Sequence, residues 1–560
     1  MMKLETPYTP VTPRPAATLI LTRDGTQGME IFLLQRNLQA KFMAGVFVFP
    51  GGVVDPGDAD PALTSQCVGL EDDLASRLLG MERNGIAYWN AAIRECFEEA
   101  GLLLARDASG ELIRLDTPST QPIGRLRSQL AGGKLGLAEL CREHGLRLAL
   151  DQLAFFGHWI TPQDQPRRFD TRFFITQAPS GQEALPDYGE TIDHLWIRPA
   201  EALERFQRQE FKLATATIKS LELLSKFSRA AEVMQHVRGL RNIPTILPRA
   251  AQDRNGRRML LPDMPAYAEI RRLDPLGRGS ASCEIVPGAA VQLSPLVRRI
   301  TAPNPSFMTG PGTNSYLVGD DDGLALIDPG PDLESHIEAL LREAQGRIRW
   351  ILATHTHMDH SPAARAIQAA TGAQLLGMPA PPTERQDQSF VPDRVLAHGE
   401  RLQIGACTLR VLHTPGHASN HLCYLLEEEK LLFTGDHIMQ GSTVVINPPD
   451  GDMGAYLASL RDIAEQEDLD WLAPGHGFLM DQPRLRIERL LEHRMAREEK
   501  VLQAMRTLGP APLEDLLGAV YDDVPVNRMA VARRSLLAHL QKLQAERRAA
   551  EIDERWCLLD

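Results

Sequence analysis

The sequence predicts a multidomain α/β protein, and three observations lead to this fold class. The chain has 560 residues, which is too long for one ordinary domain and favours three or four folded units. Apolar strand-like runs alternate with turns and with stretches of helical spacing in both halves. Hydrophobic residues make up 43% of the chain, enough for several packed cores.

Charge and cysteine content exclude several classes of protein. The formal net charge of −13 argues against binding nucleic acid by bulk electrostatics. Seven cysteines without a Cys-x-x-Cys pair indicate buried thiols in a reducing compartment. The N-terminus lacks the apolar core of a signal peptide, and no apolar run approaches membrane-spanning length. The sequence therefore predicts a soluble, cytoplasmic protein without a membrane partner.

Two strands and a glycine pair open the N-terminal half. Residues 16–22 and 30–35 are apolar runs separated by a short turn. Gly51 and Gly52 follow, and they let the backbone approach a ligand closely.

A glutamate-rich stretch lies some forty residues after the glycine pair. Residues 92–102 have helical spacing. Glu95 then lies three and four residues before Glu98 and Glu99, so the three carboxylates share one face. Like charges this close repel unless a cation lies among them, and carboxylate oxygens favour Mg²⁺ or Mn²⁺. The alternative is a solvated acidic helix surface.

Residues 94–102 resemble the second half of the Nudix box, position for position, and Gly52 matches its opening glycine. The box is interrupted here, and its first acidic position is Asp58 instead of glutamate. A similar insertion characterises the branch of Nudix enzymes that includes peroxisomal coenzyme A diphosphatases. Residues 157–162 and 168–174 also resemble that branch.

The resemblance implies a Nudix α/β/α sandwich over residues 14–237, acting on a small nucleotide-type substrate such as a coenzyme A-like diphosphate. Glu95, Glu98 and Glu99 would bind Mg²⁺ or Mn²⁺. Glu95 or Glu98 would activate water, and Arg94 would organise the charge beside them. The alternative is a non-catalytic nucleotide sensor.

Further basic and acidic residues supplement this site. Arg167, Arg168 and Arg172 are available for substrate phosphates. Glu190 is a further candidate carboxylate late in the domain. Residues 200–237 have amphipathic helical spacing and close it.

Residues 238–282 read as a linker region, because periodicity is lost while proline, arginine and glycine accumulate. Residues 258–262 suggest part of a small strand pair, and residues 277–281 are the expected boundary between the halves.

Metal-ligating side chains cluster in residues 353–361, directly after an apolar strand-like run. A turn leaving a strand can direct alternate side chains to either side of a point. His355 and His357 can therefore bind one cation. Asp359 and His360 can bind a second cation beside it. Nitrogen and carboxylate ligands suit zinc best, with manganese or iron as alternatives.

Three later turns supply the ligands that such a pair of ions still lacks. His417, Asp436 and His476 each lie just past an apolar run, beside or near glycine. This ordered series resembles the metallo-β-lactamase fold hydrolases. The resemblance implies an αββα sandwich over residues 283–482 and two Zn²⁺ ions, or Mn²⁺ or Fe²⁺.

The resemblance also implies a role for each residue of the site. The six ligands would divide into His355, His357 and His417 for one ion and Asp359, His360 and His476 for the other. Asp436 would bridge the ions and take part in catalysis, and Asp328 would support the site from behind. His421, a further catalytic candidate, either points into the site towards a leaving group or phosphate, or packs behind the ligands.

The end of the chain has the order of a winged helix over residues 483–560. Residues 513–520 and 531–543 have helical spacing, and residues 550–558 read as a strand. Together with residues 304–318, this tail resembles the metallo-β-lactamase branch that contains a mitochondrial RNA-cutting enzyme. We expect a structural or substrate-gating cap.

The basic residues of this cap, Arg533, Arg534 and Lys542, could contact phosphates, although nearby acidic residues dilute their field. The first hypothesis is a bifunctional hydrolase, a Nudix diphosphatase joined to a site that cuts RNA or another phosphodiester. Single-stranded RNA would then be cleaved slowly and with salt sensitivity. The second hypothesis for the C-terminal site is a thioesterase of glyoxalase II type, since coenzyme A esters carry both a thioester and a diphosphate.

Overall fold

The computed structural model describes residues 9–39, 43–115, 121–185, 191–441 and 443–559. It divides into two compact units, Met1–Pro248 and Arg249–Asp560. Among the described residues, no helix combines the length and the apolarity needed to cross a membrane.

The described residues of the first unit form eleven strands and eight helices. The strands are β1 (Arg14–Gly25), β2 (Gly28–Arg36), β3 (Phe47–Val48), β4 (Gly51–Val53), β5 (Cys67–Val68), β6 (Ala105–Arg106), β7 (Arg147–Ala149), β8 (Ala154–Ile160), β9 (Phe169–Gln177), β10 (Thr191–Ile197) and β11 (Thr245–Ile246). The helices are α1 (Pro61–Thr64), α2 (Asp72–Leu79), α3 (Ile86–Ala100), α4 (Gln121–Ala131), α5 (Leu137–His144), α6 (Pro199–Gln207), α7 (Thr215–Leu224) and α8 (Ala230–Gly239).

An eight-stranded mixed sheet forms the centre of the first unit, with helices on both faces. Its main strand order is β10-β2-β1-β9-β8-β11, with β3 beside β2 and β4 beside β1. Leu19 and Leu21 of β1 share a buried core with Trp89 and Phe97 of α3. Side chains alternate across a strand, so Ile20 lies on the opposite face, where α8 packs against β1, β8 and β9. This arrangement confirms the predicted α/β/α sandwich.

The second unit contains the remaining strands and helices. Its strands are β12 (Arg249–Asp253), β13 (Gly256–Leu260), β14 (Ala290–Ser294), β15 (Val297–Thr301), β16 (Asn314–Gly319), β17 (Leu324–Ile327), β18 (Ile348–Leu352), β19 (Gln374–Gly377), β20 (Arg394–Val395), β21 (Arg401–Ile404), β22 (Cys407–His413), β23 (Leu422–Leu426), β24 (Leu431–Gly435), β25 (Trp471–Pro474), β26 (Met480–Asp481), β27 (Ala549–Ile552) and β28 (Arg555–Leu558). Its helices are α9 (Tyr267–Leu273), α10 (Glu334–Ala344), α11 (Ala364–Thr371), α12 (Met453–Ala464), α13 (Pro483–Leu508), α14 (Leu513–Val520) and α15 (Met529–Ala545).

Two sheets stack face to face in the second unit, β14 to β20 in one and β21 to β26 in the other, each in chain order. Their inner faces share a core that includes Tyr316 of β16 and Tyr424 of β23. The alternating residues Cys423 and Leu425 instead pack towards α12. Helices α10 and α11 cover the outer face of the other sheet. The predicted αββα sandwich is therefore confirmed.

The C-terminal helices α14 and α15 and the hairpin β27–β28 pack around Leu516, Leu536 and Trp556. This is the predicted winged helix, with one difference. Residues 550–558 form two antiparallel strands and not one, because Asp553 and Glu554 take positive φ angles of 49° and 57° and reverse the chain.

In the middle of the chain, the helical stretch and the linker expected after it can be compared with the structure. Residues 200–237, which have helical spacing, form three separate helices, α6 to α8. Residues 238–282 do not form a separate linker. Strand β11 extends the sheet of the first unit, whereas Glu269 of α9 pairs with the buried Arg299 of the second unit at 2.6 and 2.9 Å. The compact units accordingly divide after Pro248, before the predicted boundary at residues 277–281.

Candidate active sites

The second unit brings all seven predicted ligands together at the ends of its strands. Strand β18 leads into the loop that carries four of them, and β22, β24 and β25 each precede one more. The ligand atoms lie within 4.8 Å of one another in three groups, namely His355, His357 and His417; His355, His360 and Asp436; and Asp359, His360 and His476. Two of these groups are the ligand sets that the sequence predicts.

Asp436 lies between the two predicted ligand sets. Its Oδ1 is 3.4 Å from His360 Nε2 and 3.3 Å from His476 Nε2. Its Oδ2 is 3.7 Å from His417 Nε2. One carboxylate oxygen thus faces each set, which is the geometry that a bridging ligand requires.

The chemistry of the donor atoms fits a pair of divalent cations. Nε2 of His355 and Nε2 of His417 lie 2.9 and 3.1 Å from Nδ1 of His357, so three ring nitrogens converge. Burial and the neighbouring imidazoles lower the pKa of His357 to about 3, which leaves a neutral ligand at neutral pH. Nε2 of His360 and Oδ1 of Asp436 are buried without a hydrogen-bond partner among the described residues. A cation would satisfy these groups.

The far sides of three of the imidazoles, those of His360, His417 and His476, are held by the protein. His360 Nδ1 lies 2.9 Å from Oδ2 of Asp328, which also accepts a hydrogen bond from the Thr354 hydroxyl at 2.9 Å. His417 Nδ1 and His476 Nδ1 lie 2.8 and 3.1 Å from the carbonyl oxygens of Val445 and Gly312. These contacts direct Nε2 of each ring towards the centre. The two carbonyl partners could not be identified from sequence, because any residue type supplies a carbonyl.

Gly475 leaves room for the ligands to meet. A Cβ atom at this position would lie 2.7 Å from Asp436 Oδ1 and 2.8 Å from His360 Cε1. A larger residue would therefore push the Asp436 carboxylate out of place.

Of the two positions expected for His421, the structure shows the one packed behind the ligands, because His421 does not line the cleft and cannot contact a leaving group there. The side chain is fully buried, and its Nδ1 lies 2.9 Å from the Thr414 hydroxyl. Its ring stacks beside the His355 ring at a centroid distance of 5.1 Å. This position suits a residue that supports the ligands from behind.

A polar network connects the loops that carry the first ligand set. Asn420 donates to the Thr356 hydroxyl at 2.8 Å, and Thr356 donates to Gln386 Oε1 at 2.6 Å. Gln386 then donates to Asp450, which also accepts a bond from the Ser419 hydroxyl. Thr356 lies between two ligands in the sequence, so this network fixes their loop.

Replacing Gln386 with alanine is expected to weaken metal binding in the second unit by roughly 10- to 100-fold, the usual effect of removing an outer partner. Competition with a chelator would measure the affinity. Gln388→Ala is the matched control, since Gln388 is exposed and bonds only the carbonyl of Pro381 among the described residues. Equal affinities of both variants and the unsubstituted chain would contradict the assigned role.

A cleft of about 900 Å³ opens over the ligands. His357, Asp359, His417, Asp436 and His476 form part of its lining. Much of the remaining wall is apolar and consists of Pro265, Phe307, Met308, Pro311, Met358, Met439, Val445, Phe478 and Val531. The cleft can therefore place an apolar substrate group against the ligands.

The first unit assembles the interrupted Nudix box. Arg94 donates to both carboxylate oxygens of Asp58 at 2.9 Å, although the two residues are 36 positions apart. The same guanidinium lies 2.9 Å from Glu95 and 3.4 Å from Glu98. Asp58 is 1% exposed and thus acts as the buried anchor of Arg94.

The glycine pair faces the glutamates of α3. The Gly51 amide donates to Glu99 Oε2 at 2.8 Å. A Cβ atom at Gly52 would lie 2.5 Å from Glu95 Oε1, so a side chain there would displace the Glu95 carboxylate. Burial raises the pKa of Glu95 to about 7, although Arg94 lowers it. A divalent cation beside this buried carboxyl would stabilise its ionised form, which fits the predicted Mg²⁺ or Mn²⁺.

The predicted phosphate-binding arginines differ in their surroundings. Arg168 donates to the carbonyl oxygens of Thr161 and Val11 and is buried, so its role is structural. Arg172 is bonded to Asp170 and His158, and its guanidinium lies over the Tyr88 ring of α3. Arg167 is exposed. Glu190 lies outside the described residues.

Arg172 nevertheless lies on the same side of the sheet as the glutamates. Gly52, Ala17, Arg172 and His158 are register partners on four neighbouring strands. Register partners share a face, and the Gly52 position faces Glu95.

Family models match three separate parts of the chain. The metallo-beta-lactamase superfamily matches residues 308–476, the NUDT19 Nudix domain matches residues 11–224, and the beta-lactamase associated winged helix domain matches residues 513–556.

Two of the curated relatives each match a little under half of the chain. The beta-lactamase-like protein 2 homolog of Drosophila melanogaster is 31% identical over 46% of this chain and 91% of its own length. The atrochrysone carboxyl ACP thioesterase of Aspergillus chevalieri is 31% identical over 46% of this chain and 84% of its own length.

Solved structures resemble each half. A metallo-beta-lactamase family protein of Thermus thermophilus is 23% identical, with a TM-score of 0.40, over 48% of this chain and 100% of that one. A NUDIX hydrolase of Alicyclobacillus acidocaldarius is 30% identical, with a TM-score of 0.34, over 40% of this chain and 96% of that one. The family models and the Drosophila relative show that the chain is a multidomain hydrolase, which belongs to the metallo-beta-lactamase superfamily through its C-terminal half and carries a NUDT19-type Nudix domain and a beta-lactamase associated winged helix.

Proposed function

We propose that the second unit hydrolyses an acyl thioester and that the first unit cuts the diphosphate of the same class of molecule, a coenzyme A-like carrier. The observation that carries the proposal is the largely apolar wall of the cleft, which opens over five of the seven predicted ligands and suits an acyl chain. The name of the Aspergillus relative, an acyl carrier protein thioesterase, supports the same chemistry.

The residues of the second unit would hold two zinc-class ions, Zn²⁺ or else Mn²⁺ or Fe²⁺. When bound, such a pair supplies Lewis acidity and a strong nucleophile at neutral pH. Asp436 holds negative charge between the two ligand sets, and Asp328 fixes the ring of His360. The apolar wall excludes water from the acyl group and orients its carbonyl over the ligands.

In the first unit, Glu95, Glu98 and Glu99 would hold Mg²⁺ or Mn²⁺, which supplies charge neutralisation for the diphosphate. With the cation bound, Glu95 or Glu98 would take a proton from water. Arg94, anchored by Asp58, keeps the glutamates in position.

Phosphodiester cleavage, including that of single-stranded RNA, is the second candidate for the second unit. It is favoured by Arg385 and Arg534, which line the cleft beside the ligands. The net charge of −13 works against tight RNA binding.

A panel of an acyl thioester, a model phosphodiester and single-stranded RNA tests the proposal. We expect the thioester to be hydrolysed fastest, with little dependence on salt. A preference for RNA that falls steeply with rising salt concentration would replace thioester hydrolysis with the second candidate.

Mg²⁺ binding by the first unit is expected to strengthen as the pH rises to about 7 and then to level off. Below the raised pKa of Glu95 the carboxyl is protonated, and a proton must leave before a cation binds. Each pH unit below the pKa therefore weakens binding by up to about tenfold. Calorimetric titrations between about pH 5 and 8 would measure this slope. Glu95→Gln should remove it, and an equal slope in that variant would assign the titration to another group.

A further inference from the structure

Three guanidinium groups lie around the cleft of the second unit. Arg385 belongs to the metallo-beta-lactamase domain, whereas Arg528 and Arg534 belong to the winged helix. All three line the same cavity as His357 and Asp436. The winged helix therefore contributes charged side chains to the wall of the catalytic cleft.

None of these arginines forms an ion pair with a carboxylate of the described residues. The guanidinium of Arg528 lies 5.2 Å from the centre of the exposed Phe307 ring. Within the part of the chain that the structure describes, Glu384 is the one acidic side chain of the cavity apart from Asp359 and Asp436. The cleft thus has an excess of positive charge outside the ligand centre.

The neighbouring basic residues of the winged helix have acidic partners. Arg533 lies 2.7 Å from Glu514, and Lys542 lies 2.8 Å from Glu498. Of the three basic residues that the sequence singled out, Arg534 alone lines the cleft. Burial and the positive charge of Arg385 lower the pKa of Arg534. Two like charges held together in this way are stabilised when an anion binds between them.

We propose that Arg385, Arg528 and Arg534 bind the phosphate groups of the thioester substrate, so that its thiol carrier is a phosphorylated, coenzyme A-like molecule. This inference rests on the proposed thioester hydrolysis. The two ends of the substrate would be recognised separately, the acyl chain by the apolar wall and the phosphates by the guanidinium groups. Guanidinium groups suit this role because they donate paired hydrogen bonds to phosphate oxygens.

The test compares an acyl-coenzyme A with the matching acyl-pantetheine, which has the same thioester and no phosphate. Both are assayed on the full chain carrying Glu98→Gln, so that the diphosphate stays intact. We expect the coenzyme A ester to have the lower KM. Arg385→Ala and Arg534→Ala should each raise that KM by about tenfold, the value of one charge-assisted contact.

The substitutions should leave kcat within about twofold, and they should leave the KM of the pantetheine ester unchanged, because the guanidinium groups contact only the phosphates. Arg533→Ala is the matched control, since Arg533 is adjacent in the chain, exposed and paired with Glu514. Equal KM values for the two esters, or an equal rise for both in the variants, would overturn the inference and leave thioester hydrolysis standing.

A binding measurement decides the inference if neither ester is hydrolysed, which would refute the proposed function. Desulfo-coenzyme A is titrated calorimetrically into the same Glu98→Gln chain. Loss of one binding site in an Arg385→Ala/Arg534→Ala variant would support the phosphate site. Unchanged binding of desulfo-coenzyme A would overturn the phosphate site. In a parallel titration with single-stranded RNA, a variant that loses RNA binding but keeps desulfo-coenzyme A binding would overturn it as well.

Discussion

Replacing Asp436 with alanine is expected to remove most of the metal from the second unit and to abolish its hydrolytic activity. The carboxylate lies within 3.7 Å of His360, His417 and His476, so it reaches both ligand sets. Without it the imidazoles face one another without a shared counter-charge. We expect the metal content to fall from near two ions per chain, because the affinity of the second unit for metal drops by at least about 100-fold.

Elemental analysis of protein purified without chelator would measure the occupancy. Asp468→Ala is a suitable control, because Asp468 is exposed and pairs with Lys430 away from the ligands. Full occupancy in the Asp436→Ala chain would refute the assignment of the bridging ligand.

Replacing Glu98 with glutamine is expected to abolish Mg²⁺-dependent diphosphate cleavage while the second unit keeps its activity. Glu98 shares the Arg94 guanidinium with Glu95, and its side chain is 16% exposed, so an uncharged substitute removes a ligand without emptying the core. A loss of about 10²- to 10⁴-fold is typical when a group of this kind is removed.

The two activities would be followed in the same preparation, with a diphosphate and a thioester as separate substrates. Glu204→Gln, on the exposed part of α6, is the control. An equal loss of both activities would show that the two sites depend on each other.

Motifs in the sequence predicted both sandwich folds. Each motif combines a pattern of residue types with the end of a strand or with a helix. His355 and His357 follow β18 directly, and His476 follows β25, so their types and positions were sufficient to predict a metal centre. The role of Asp58 was harder to predict. The sequence identifies it as a substitute for glutamate, and only the fold shows that the insertion closes into an ion pair with Arg94.

Other features depend on contacts between segments that are distant in the chain. His421 has the residue type of a catalytic group, but its burial beside Thr414 is set by the packing of β23 against its neighbours. Arg533 and Arg534 are identical in type and adjacent in sequence, yet one pairs with Glu514 and the other lines the cleft. A helix rotates side chains by about 100° per residue, so helical phase separates their roles.

The long helix α13 packs against both the metallo-beta-lactamase domain and the winged helix. Ile487 near its start packs in the core under the second sheet, whereas Val501 and Leu502 pack in the core of the winged helix. Arg494 between them donates to the carbonyl of Val444 and the hydroxyl of Ser535.

One helix therefore belongs to two hydrophobic cores. A chain cut after Pro510 would uncover Val501 and Leu502 and would also remove Arg528 and Arg534 from the cleft. In a chimera of two relatives, the winged helix would have to be transferred together with α13 and the surface on which α13 packs. The segment to exchange is therefore the whole C-terminal half.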